Sequence, residues 1–223
     1  GAFEEALSPA EQEARMTPPA ALRHGLRELA LALPSEAQEK LLAYLELLAK
    51  WNRTYNLTAI RDPLQMVSLH LLDSLAVLHE IPGGALADVG SGAGLPGIPI
   101  AIAEPERRVA LNDASHKKSA FLRQAVIELG IANAEVHHGR AESWRPLERF
   151  AVVISRGFAE LGEFIAACRH LALPDGVLAA MKGVHPDEEL ANLPPGCDCG
   201  DVRKLRVPMV EAERHLILCR VTV

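Results

Sequence analysis

Three glycines at alternate positions form the stretch of this sequence with the clearest chemical meaning. Gly90, Gly92 and Gly94 directly follow a short apolar run, which ends with Asp88 and Val89, and precede an apolar helical pattern. Glycine lets a backbone turn sharply and approach a ligand with no Cβ in the way. We therefore predict a nucleotide-type cofactor at this turn, with Asp88 and the three glycines among its contacts. A plain strand-to-helix turn is the alternative.

The spacing of the turn narrows the cofactor class. Leu95 occupies the position where the dinucleotide pattern Gly-x-Gly-x-x-Gly has its third glycine. This departure favours S-adenosyl-L-methionine, because that molecule has no pyrophosphate to be held at a helix N-terminus.

Three further polar segments follow the next predicted strands in order. Asp113 comes at the end of the second strand, where a carboxylate can accept hydrogen bonds from ribose hydroxyls. Ala141 and Glu142 follow the third strand, where an adenine edge would lie, and Ser155-Arg156-Gly157-Phe158 follows the fourth. Ligands of such sheets bind outside the carboxyl ends of the strands, so the coincidence of four segments favours a cofactor site over a plain turn.

The methyl acceptor can be narrowed by elimination. Methylation of carbon 5 of a pyrimidine needs a cysteine nucleophile, usually after a proline, and none of the four cysteines follows a proline. Adenine amino methylation commonly uses Asn/Asp-Pro-Pro-Tyr/Phe after the fourth strand, where this chain has Ser-Arg-Gly-Phe. A guanine N7 fits better, because its lone pair is free and positioning would supply most of the rate without a general base.

Basic side chains near the predicted strand ends are the candidates for contacting RNA. For a catalytic RNA pocket we choose Arg140, Arg156 and Lys182. These cations should hold O6 or phosphates, because a hydrogen bond to N7 would block the attacking lone pair. The wider RNA-binding set is Arg61, Lys117, Lys118, Arg123 and Lys182. A net charge of −6 argues weakly against nucleic acid, and for the two adjacent lysines a solvated helix face is the alternative.

Several other residues have a structural and a functional interpretation. His70 and Asp73 share a helix face, and we expect a structural hydrogen-bonded pair rather than a cover for the cofactor. Phe158 could stack on the target base or belong to the core. We expect no metal site, since His137-His138 and the Cys197-x-Cys199 pair have no two further ligands at usual spacing.

The elements that must position these residues alternate along the chain. Helical spacing dominates up to about residue 80, and seven short strands follow, near residues 85–89, 107–111, 134–137, 150–154, 176–181, 202–207 and 215–221. Helices are predicted over 97–103, 115–129 and 160–171. This alternation predicts an α/β, Rossmann-like fold with a mostly parallel seven-stranded sheet, helices on both faces and one antiparallel strand. Together with the predicted S-adenosyl-L-methionine site, it indicates a class I methyltransferase. We divide the chain into an N-terminal helical extension, 1–80, and a methyltransferase domain, 81–223, packed as one unit.

The composition limits the cellular environment in which we expect the protein to work. No apolar run reaches the roughly 18 residues that span a bilayer, and no secretory signal is visible, so we expect a cytoplasmic protein without membrane contact. A chain of 223 residues should not need disulfide bonds, so the cysteines are expected to be reduced. We expect a monomer.

Motifs along the chain resemble those of the RsmG (GidB) family from about residue 40 to the C-terminus. The matching segments are 51–61 (WNRTYNLTAIR), 70–75 (HLLDSL), 88–99 (DVGSGAGLPGIP), Lys117-Lys118 with Phe121-Leu122, Ser155-Arg156, 180–183 (AMKG) and 213–215 (ERH). The chain has Ala114 where family members usually have serine.

The resemblance implies a bacterial methyltransferase that acts on N7 of guanine 527 in 16S ribosomal RNA, as free RNA, 30S subunit or precursor. It also implies cofactor contacts at Gly90, Leu95, Ala141, Glu142 and Arg156. Two other functions stay open from the residues alone. One is a methyltransferase acting on another RNA, a small molecule or a protein, and the other is a non-catalytic ribosome-assembly factor.

Overall fold

A computed structural model of the chain describes residues 16–158 and 160–221. Residues 1–15 of the predicted helical extension and residues 222–223 of the predicted methyltransferase domain lie outside the described residues. The described chain contains one seven-stranded sheet, made of β1 (Leu86–Val89), β2 (Val109–Asp113), β3 (Ala134–His138), β4 (Phe150–Ser155), β5 (Ala172–Lys182), β6 (Cys197–Leu205) and β7 (Arg214–Val221).

The strand order is β3-β2-β1-β4-β5-β7-β6. Strands β1 to β5 run parallel to one another, whereas β7 is antiparallel to both β5 and β6. The predicted Rossmann-like methyltransferase fold is therefore confirmed, including the antiparallel strand near the end. Every residue of β1 and β2 is buried, as expected for parallel strands covered on both faces.

The described helices are α1 (Pro18–Glu28), α2 (Ser35–Tyr55), α3 (Pro63–Met66), a π-helical segment (Val67–Leu72), α4 (Asp73–Leu75), α5 (Gly97–Ala103), α6 (His116–Glu128), α7 (Leu161–Cys168) and α8 (Asp187–Ala191), with short 3-10 turns at Ala141–Ser143 and Arg169–Leu171. Local sequence explains several starts. Asp62 accepts a hydrogen bond from the Gln65 amide and Pro63 follows it, and the Ser115 hydroxyl caps α6.

The structure departs from the sequence-based element bounds in three places. The region up to about residue 80, which was predicted to be helical, contains the π-helical segment, whose Leu69 carbonyl accepts a hydrogen bond from Arg156 at 3.0 Å. Helix α8 was not predicted, because five residues are too few to carry a helical period. Strand β6 was predicted near residues 202–207 but begins at Cys197. Its buried and exposed residues do not alternate regularly, so the sequence gives no clear signal of where the strand begins.

Two apolar clusters cover the two faces of the sheet. One contains Leu86 and Leu111 and extends to Leu41 and Leu48 of α2, while the other contains Ala87 and packs under α7. Alternate residues of one strand point to opposite faces, which explains the division. Because α1 and α2 share the first cluster with the sheet, they help to position the segments at the carboxyl ends of its strands. The division of the chain into two parts at residue 80 remains our proposal.

The expectation of four reduced cysteines is wrong in the structure. Cys199 of β6 and Cys219 of β7 form a disulfide, with a Cα–Cα distance of 4.1 Å. The two residues are 20 apart in sequence and are brought together only by the pairing of these strands. Cys168 is buried and free, and Cys197 is free and partly exposed.

Candidate active site at the carboxyl edge of the sheet

The order of the strands creates a crevice between β1 and β4. From β1 the chain proceeds to β2 and β3 on one side, and β4 and β5 then continue on the other side. Ligands of open α/β sheets bind at such a switch point, outside the carboxyl ends of the strands. The glycine turn follows β1 and the Ser155–Gly157 segment follows β4, so the predicted segments flank this crevice.

The glycines have the conformations that the turn requires. Gly90, Gly92 and Gly94 have φ angles of +66°, +60° and +92°, in the region that glycine adopts without strain. A Cβ on Gly94 would lie 2.4 Å from the Ile98 Cδ1 atom, whereas a Cβ on Gly90 would meet nothing within 4 Å. Gly94 is thus required by internal packing, and Gly90 leaves open space beside the backbone that a ligand can occupy.

Two carboxylates hold this turn from inside the protein. Asp88 is fully buried, and its Oδ2 accepts hydrogen bonds from the Ser91 hydroxyl at 2.6 Å and the Gly97 amide at 2.9 Å. The two oxygens of Asp113 accept the Gly92 amide at 2.9 Å and the Ser115 amide at 2.8 Å. Both aspartates therefore position the backbone, and their predicted contacts with the cofactor remain predictions.

Burial also changes the acidity of Asp88. Its pKa is raised from 3.8 to about 6, mainly by burial, and the Ser91 hydrogen bond acts in the opposite direction. Its Oδ1 has no hydrogen-bond partner in the described part of the chain. That oxygen is an unused acceptor directly beneath the turn.

Tyr44 of α2 is a site residue that the sequence-based analysis missed. Its hydroxyl donates a hydrogen bond to the Ala93 carbonyl at 2.6 Å, and the side chain is fully buried. Burial raises the pKa of Tyr44 well above its ordinary value, so the hydroxyl keeps its proton. The available signal was a tyrosine in an otherwise apolar helical stripe, because a buried phenol needs a hydrogen-bond partner.

The loop between α2 and α3 covers the turn from the other side. The Asn52 side chain holds Thr58 twice, through the Thr58 carbonyl and amide, both at 2.9 Å. Leu57 and Thr58 then line a cavity of about 190 Å³ together with the glycine turn, Leu95, Arg156 and Gly157. We call this space the glycine-turn cavity. Of the predicted cofactor contacts, Gly90, Gly92, Leu95 and Arg156 line this cavity, whereas Asp88, Gly94 and Asp113 do not.

A second cavity of about 330 Å³ lies on the other side of Arg156. It is lined by Ile60, Leu69, His70, Asp73, Arg156, Met181, Lys182, Gly183, Leu205, Arg214 and His215. We call it the Arg214 cavity. Arg156 belongs to both linings, so the two cavities are neighbours.

A buried carboxylate organises the second cavity. Asp73 accepts from Arg156 at 3.1 Å and from Arg214 at 2.8 Å, and its side chain is 4% exposed. The expected pairing of His70 with Asp73 is therefore wrong. His70 Nε2 lies 2.9 Å from the Thr58 hydroxyl instead. Asp73 is paired with Arg156, which directly follows β4, and with Arg214 of β7, and helical spacing carries no information about these distant elements.

Lys182 lies at the carboxyl end of β5, among the strand ends where it was predicted, and its charge is paired with a carboxylate. Its ammonium group lies 2.9 Å from Glu189 of α8, and the side chain is 13% exposed. It also donates to the Phe158 carbonyl at 3.4 Å. Phe158 packs against Phe164 with ring centroids 5.4 Å apart, which supports its interpretation as a core residue. The sequence analysis missed Glu189, because no sequence pattern predicts α8.

The remaining candidates lie at the surface. Arg140 and Glu142 are exposed and Ala141 is buried, in and before the 3-10 turn after β3. Among the described residues, none of these three lines either cavity. Their contacts with cofactor or RNA remain predictions.

The wider basic set is mostly exposed. Arg61, Lys117 and Arg123 are exposed and Lys118 is partly exposed. The Arg61 guanidinium donates to the Asn56 side chain at 3.1 Å, and the Lys117 ammonium lies 5.9 Å from the ring centre of Tyr55. Their role in binding RNA remains a prediction.

Comparison with solved structures agrees with this architecture. The O-methyltransferase TomG from Streptomyces achromogenes, solved in complex with adenosylmethionine, superposes with a TM-score of 0.53 at 19% identity, covering 81% of this chain and 90% of that one. At this identity the likeness shows the fold, which is that of the methyltransferases. Within the described residues, no helix combines the length and the apolar character needed to cross a membrane.

The sequence comparisons define the family. The family model described as rRNA small subunit methyltransferase G matches residues 37–217, and the chain belongs to this family. Two relatives named ribosomal RNA small subunit methyltransferase G illustrate the similarity. The one from Chromobacterium violaceum is 52% identical over 89% of this chain and 95% of its own length, and the one from Laribacter hongkongensis 51% over 88% and 95%. The predicted family is confirmed, and with it adenosylmethionine as the cofactor class.

Proposed function

We propose that this protein methylates small-subunit ribosomal RNA, and that its target is N7 of guanine 527 in 16S RNA. The observation that carries the proposal is the pair of neighbouring cavities that share Arg156, in a chain of the methyltransferase G family. We assign the glycine-turn cavity to the methyl donor and the Arg214 cavity to the acceptor base.

The chemistry of the linings supports this assignment. Three of the nine residues that line the glycine-turn cavity are glycines, and open space lies beside Gly90, which suits the donor nucleoside. When bound, adenosylmethionine supplies an electrophilic methyl carbon to the free lone pair of N7. The chain therefore needs no general base, since N7 carries no proton, and its residues act by orienting the base.

The Arg214 cavity has a different character. Arg156, Lys182 and Arg214 line it, and each of them is paired with a carboxylate. Such side chains can bind O6 or the phosphates beside a splayed guanine. The carboxylates reduce the positive field, which matters because the reaction moves positive charge onto the base.

The proposal also covers the contacts with the RNA backbone, the form of the substrate and the state of the protein. The exposed cations Arg61, Lys117, Lys118 and Arg123 are assigned to the RNA backbone, as is Arg140 beside the cofactor edge. We propose that the substrate is 16S RNA within the 30S subunit or its precursor, and that the protein acts as a cytoplasmic monomer.

The decisive experiment is methylation with labelled adenosylmethionine of free 16S RNA, assembly intermediates and 30S particles. The modified position is then mapped by strand cleavage at 7-methylguanosine. We expect label on one guanine N7, position 527, and loss of label with Arg156→Ala. Label on no guanine N7, or label only on a protein or a small molecule, would contradict the proposal.

A further inference from the structure

His70 is one of the residues that line the Arg214 cavity, and one of its ring nitrogens is buried and makes no hydrogen bond with the rest of the described chain. The residue is 4% exposed, and its Nδ1 has no hydrogen-bond partner in the described part of the chain. A buried polar atom without a partner carries a desolvation cost, so such an atom beside a cavity is expected to meet a ligand. This observation points to a role that the family motifs do not assign.

The other ring nitrogen determines what Nδ1 can do. His70 Nε2 lies 2.9 Å from the Thr58 hydroxyl, and that hydroxyl oxygen already accepts the Ile60 amide at 3.1 Å. When the hydroxyl proton of Thr58 is donated to Nε2, the ring keeps its hydrogen on Nδ1 and becomes a donor there. Thr58 also lines the glycine-turn cavity, so this hydrogen bond places His70 close to where the two cavities meet.

The charge state of His70 also suits the reaction. Burial lowers the pKa of His70 to about 4, and the positive charge of Arg156 acts in the same direction, whereas the neighbouring Leu69 carbonyl and the Asp73 carboxylate act in the opposite direction. The imidazole is therefore neutral at pH 7. A neutral donor can hold the base without adding a positive charge where methyl transfer places one.

We propose that His70 Nδ1–H donates a hydrogen bond to O6 of the target guanine and thereby selects guanine and turns its N7 toward the glycine-turn cavity. Guanine presents O6 and N7 as adjacent acceptors on one edge, whereas adenine presents an amino donor where guanine has O6. An adenine would place two donors against each other, which a buried site does not tolerate. The inference rests on the proposed function, because it names a residue that recognises the proposed acceptor.

Two substitutions separate this role from the structural one. In His70→Gln the amide occupies the place of Nε2 and can keep the contact with Thr58, but nothing replaces Nδ1. In His70→Asn the amide occupies the place of Nδ1, while the contact with Thr58 is lost. His24→Gln is the matched control, because His24 is a partly exposed residue of α1 that is paired with Glu28 and lies far along the chain from the site residues.

We expect His70→Gln to bind adenosylmethionine as the unmodified protein does, and to lose about tenfold or more in kcat/KM for RNA methylation. His70→Asn should weaken cofactor binding through the loosened Thr58 loop, yet retain more of the RNA-dependent step than His70→Gln once cofactor is saturating. A rise in KM with unchanged kcat would indicate lost binding of the base, and a fall in kcat lost orientation.

The contact atom is tested with RNA that carries 2-aminopurine at the target, which lacks O6 but retains N7. The unmodified protein should lose activity on this RNA. His70→Gln should methylate this RNA and guanine RNA at nearly the same rate, because the substitution and the base analogue remove the same hydrogen bond, between Nδ1 and O6. Inosine at the target, which keeps O6 and lacks the 2-amino group, should affect both proteins equally.

The outcomes distinguish the two proposals. If the unmodified protein methylates no guanine N7, the proposed function fails. If it does, but His70→Gln matches His24→Gln on guanine RNA, or the penalties of His70→Gln and 2-aminopurine multiply, the role of His70 is refuted while the function stands.

Discussion

The two cavities that meet at Arg156 differ in where their linings come from along the chain. The glycine-turn cavity takes most of its lining from Gly90 to Leu95 and is held from below by Asp88 and Asp113. The Arg214 cavity draws on the π-helical segment, the ends of β4 and β5, and the start of β7. A turn built from contiguous backbone is robust and recognisable in sequence, whereas a site built from distant charged side chains depends on every element being in place.

The largest expected effect comes from removing the shared counter-charge of the Arg214 cavity. Asp73→Asn leaves Arg156 and Arg214 without their carboxylate, and we expect a loss of about 3 kcal/mol in the free energy of unfolding. Urea unfolding monitored by circular dichroism measures it. Asp201→Asn, at an exposed pair with Arg203, is the control and should cost less than about 1 kcal/mol. Equal losses in the two variants would mean that Asp73 does not organise the cavity.

The next prediction compares Gly94, which is packed against the protein, with Gly90, which borders open space. Gly94→Ala should cost about 1–3 kcal/mol in unfolding free energy, because φ is +92° and the new Cβ would meet Ile98. Gly90→Ala should cost only about 1 kcal/mol for its left-handed backbone, yet weaken adenosylmethionine binding about tenfold or more, since its Cβ enters the open space. Calorimetric titration and urea unfolding of both variants test the contrast, which fails if Gly90→Ala binds the cofactor normally.

A smaller effect should follow from loosening the helix that supports the turn. Tyr44→Phe removes the hydrogen bond to the Ala93 carbonyl and should cost about 1 kcal/mol in unfolding free energy, with a severalfold weaker affinity for adenosylmethionine. Thermal unfolding and cofactor titration measure the two quantities. Tyr55→Phe, at a partly exposed tyrosine, should change neither. An unchanged cofactor affinity in Tyr44→Phe would mean that α2 supports the fold but not the turn.

The last expected effect is a change in pH dependence. The folded-state pKa of Asp88, about 6, lies above its ordinary value of 3.8, so the folded protein binds this proton more tightly than the unfolded chain. Asp88 therefore makes the protein less stable as pH rises from about 4 to about 6. In Asp88→Asn this fall should disappear, while the amide oxygen still accepts from Ser91 and Gly97. Urea unfolding at several pH values tests it, and an identical pH profile in the two proteins would contradict the assigned pKa.

Sequence alone determined much of this protein. Apolar runs alternating with helical patterns predicted the sheet and its antiparallel strand, because strands buried on both faces leave short continuous apolar runs, whereas helices leave a period of about 3.6 residues. The glycine turn was predictable in position and cofactor class, since the residues that form it are contiguous and glycine has few substitutes at positive φ. The motifs also identified the family that the comparison confirmed.

Only the tertiary structure decided how the charged residues are paired. Asp73 lies 83 and 141 positions from its arginine partners, and Glu189 lies on a helix too short to leave a periodic signal. Sequence spacing paired His70 with Asp73, but the packing of β4 and β7 beside the helical segment gave them different partners. Interactions between distant residues depend on how the elements pack, and local sequence carries no information about that packing. This is why the glycine turn was predictable and the charge pairing in the Arg214 cavity was not.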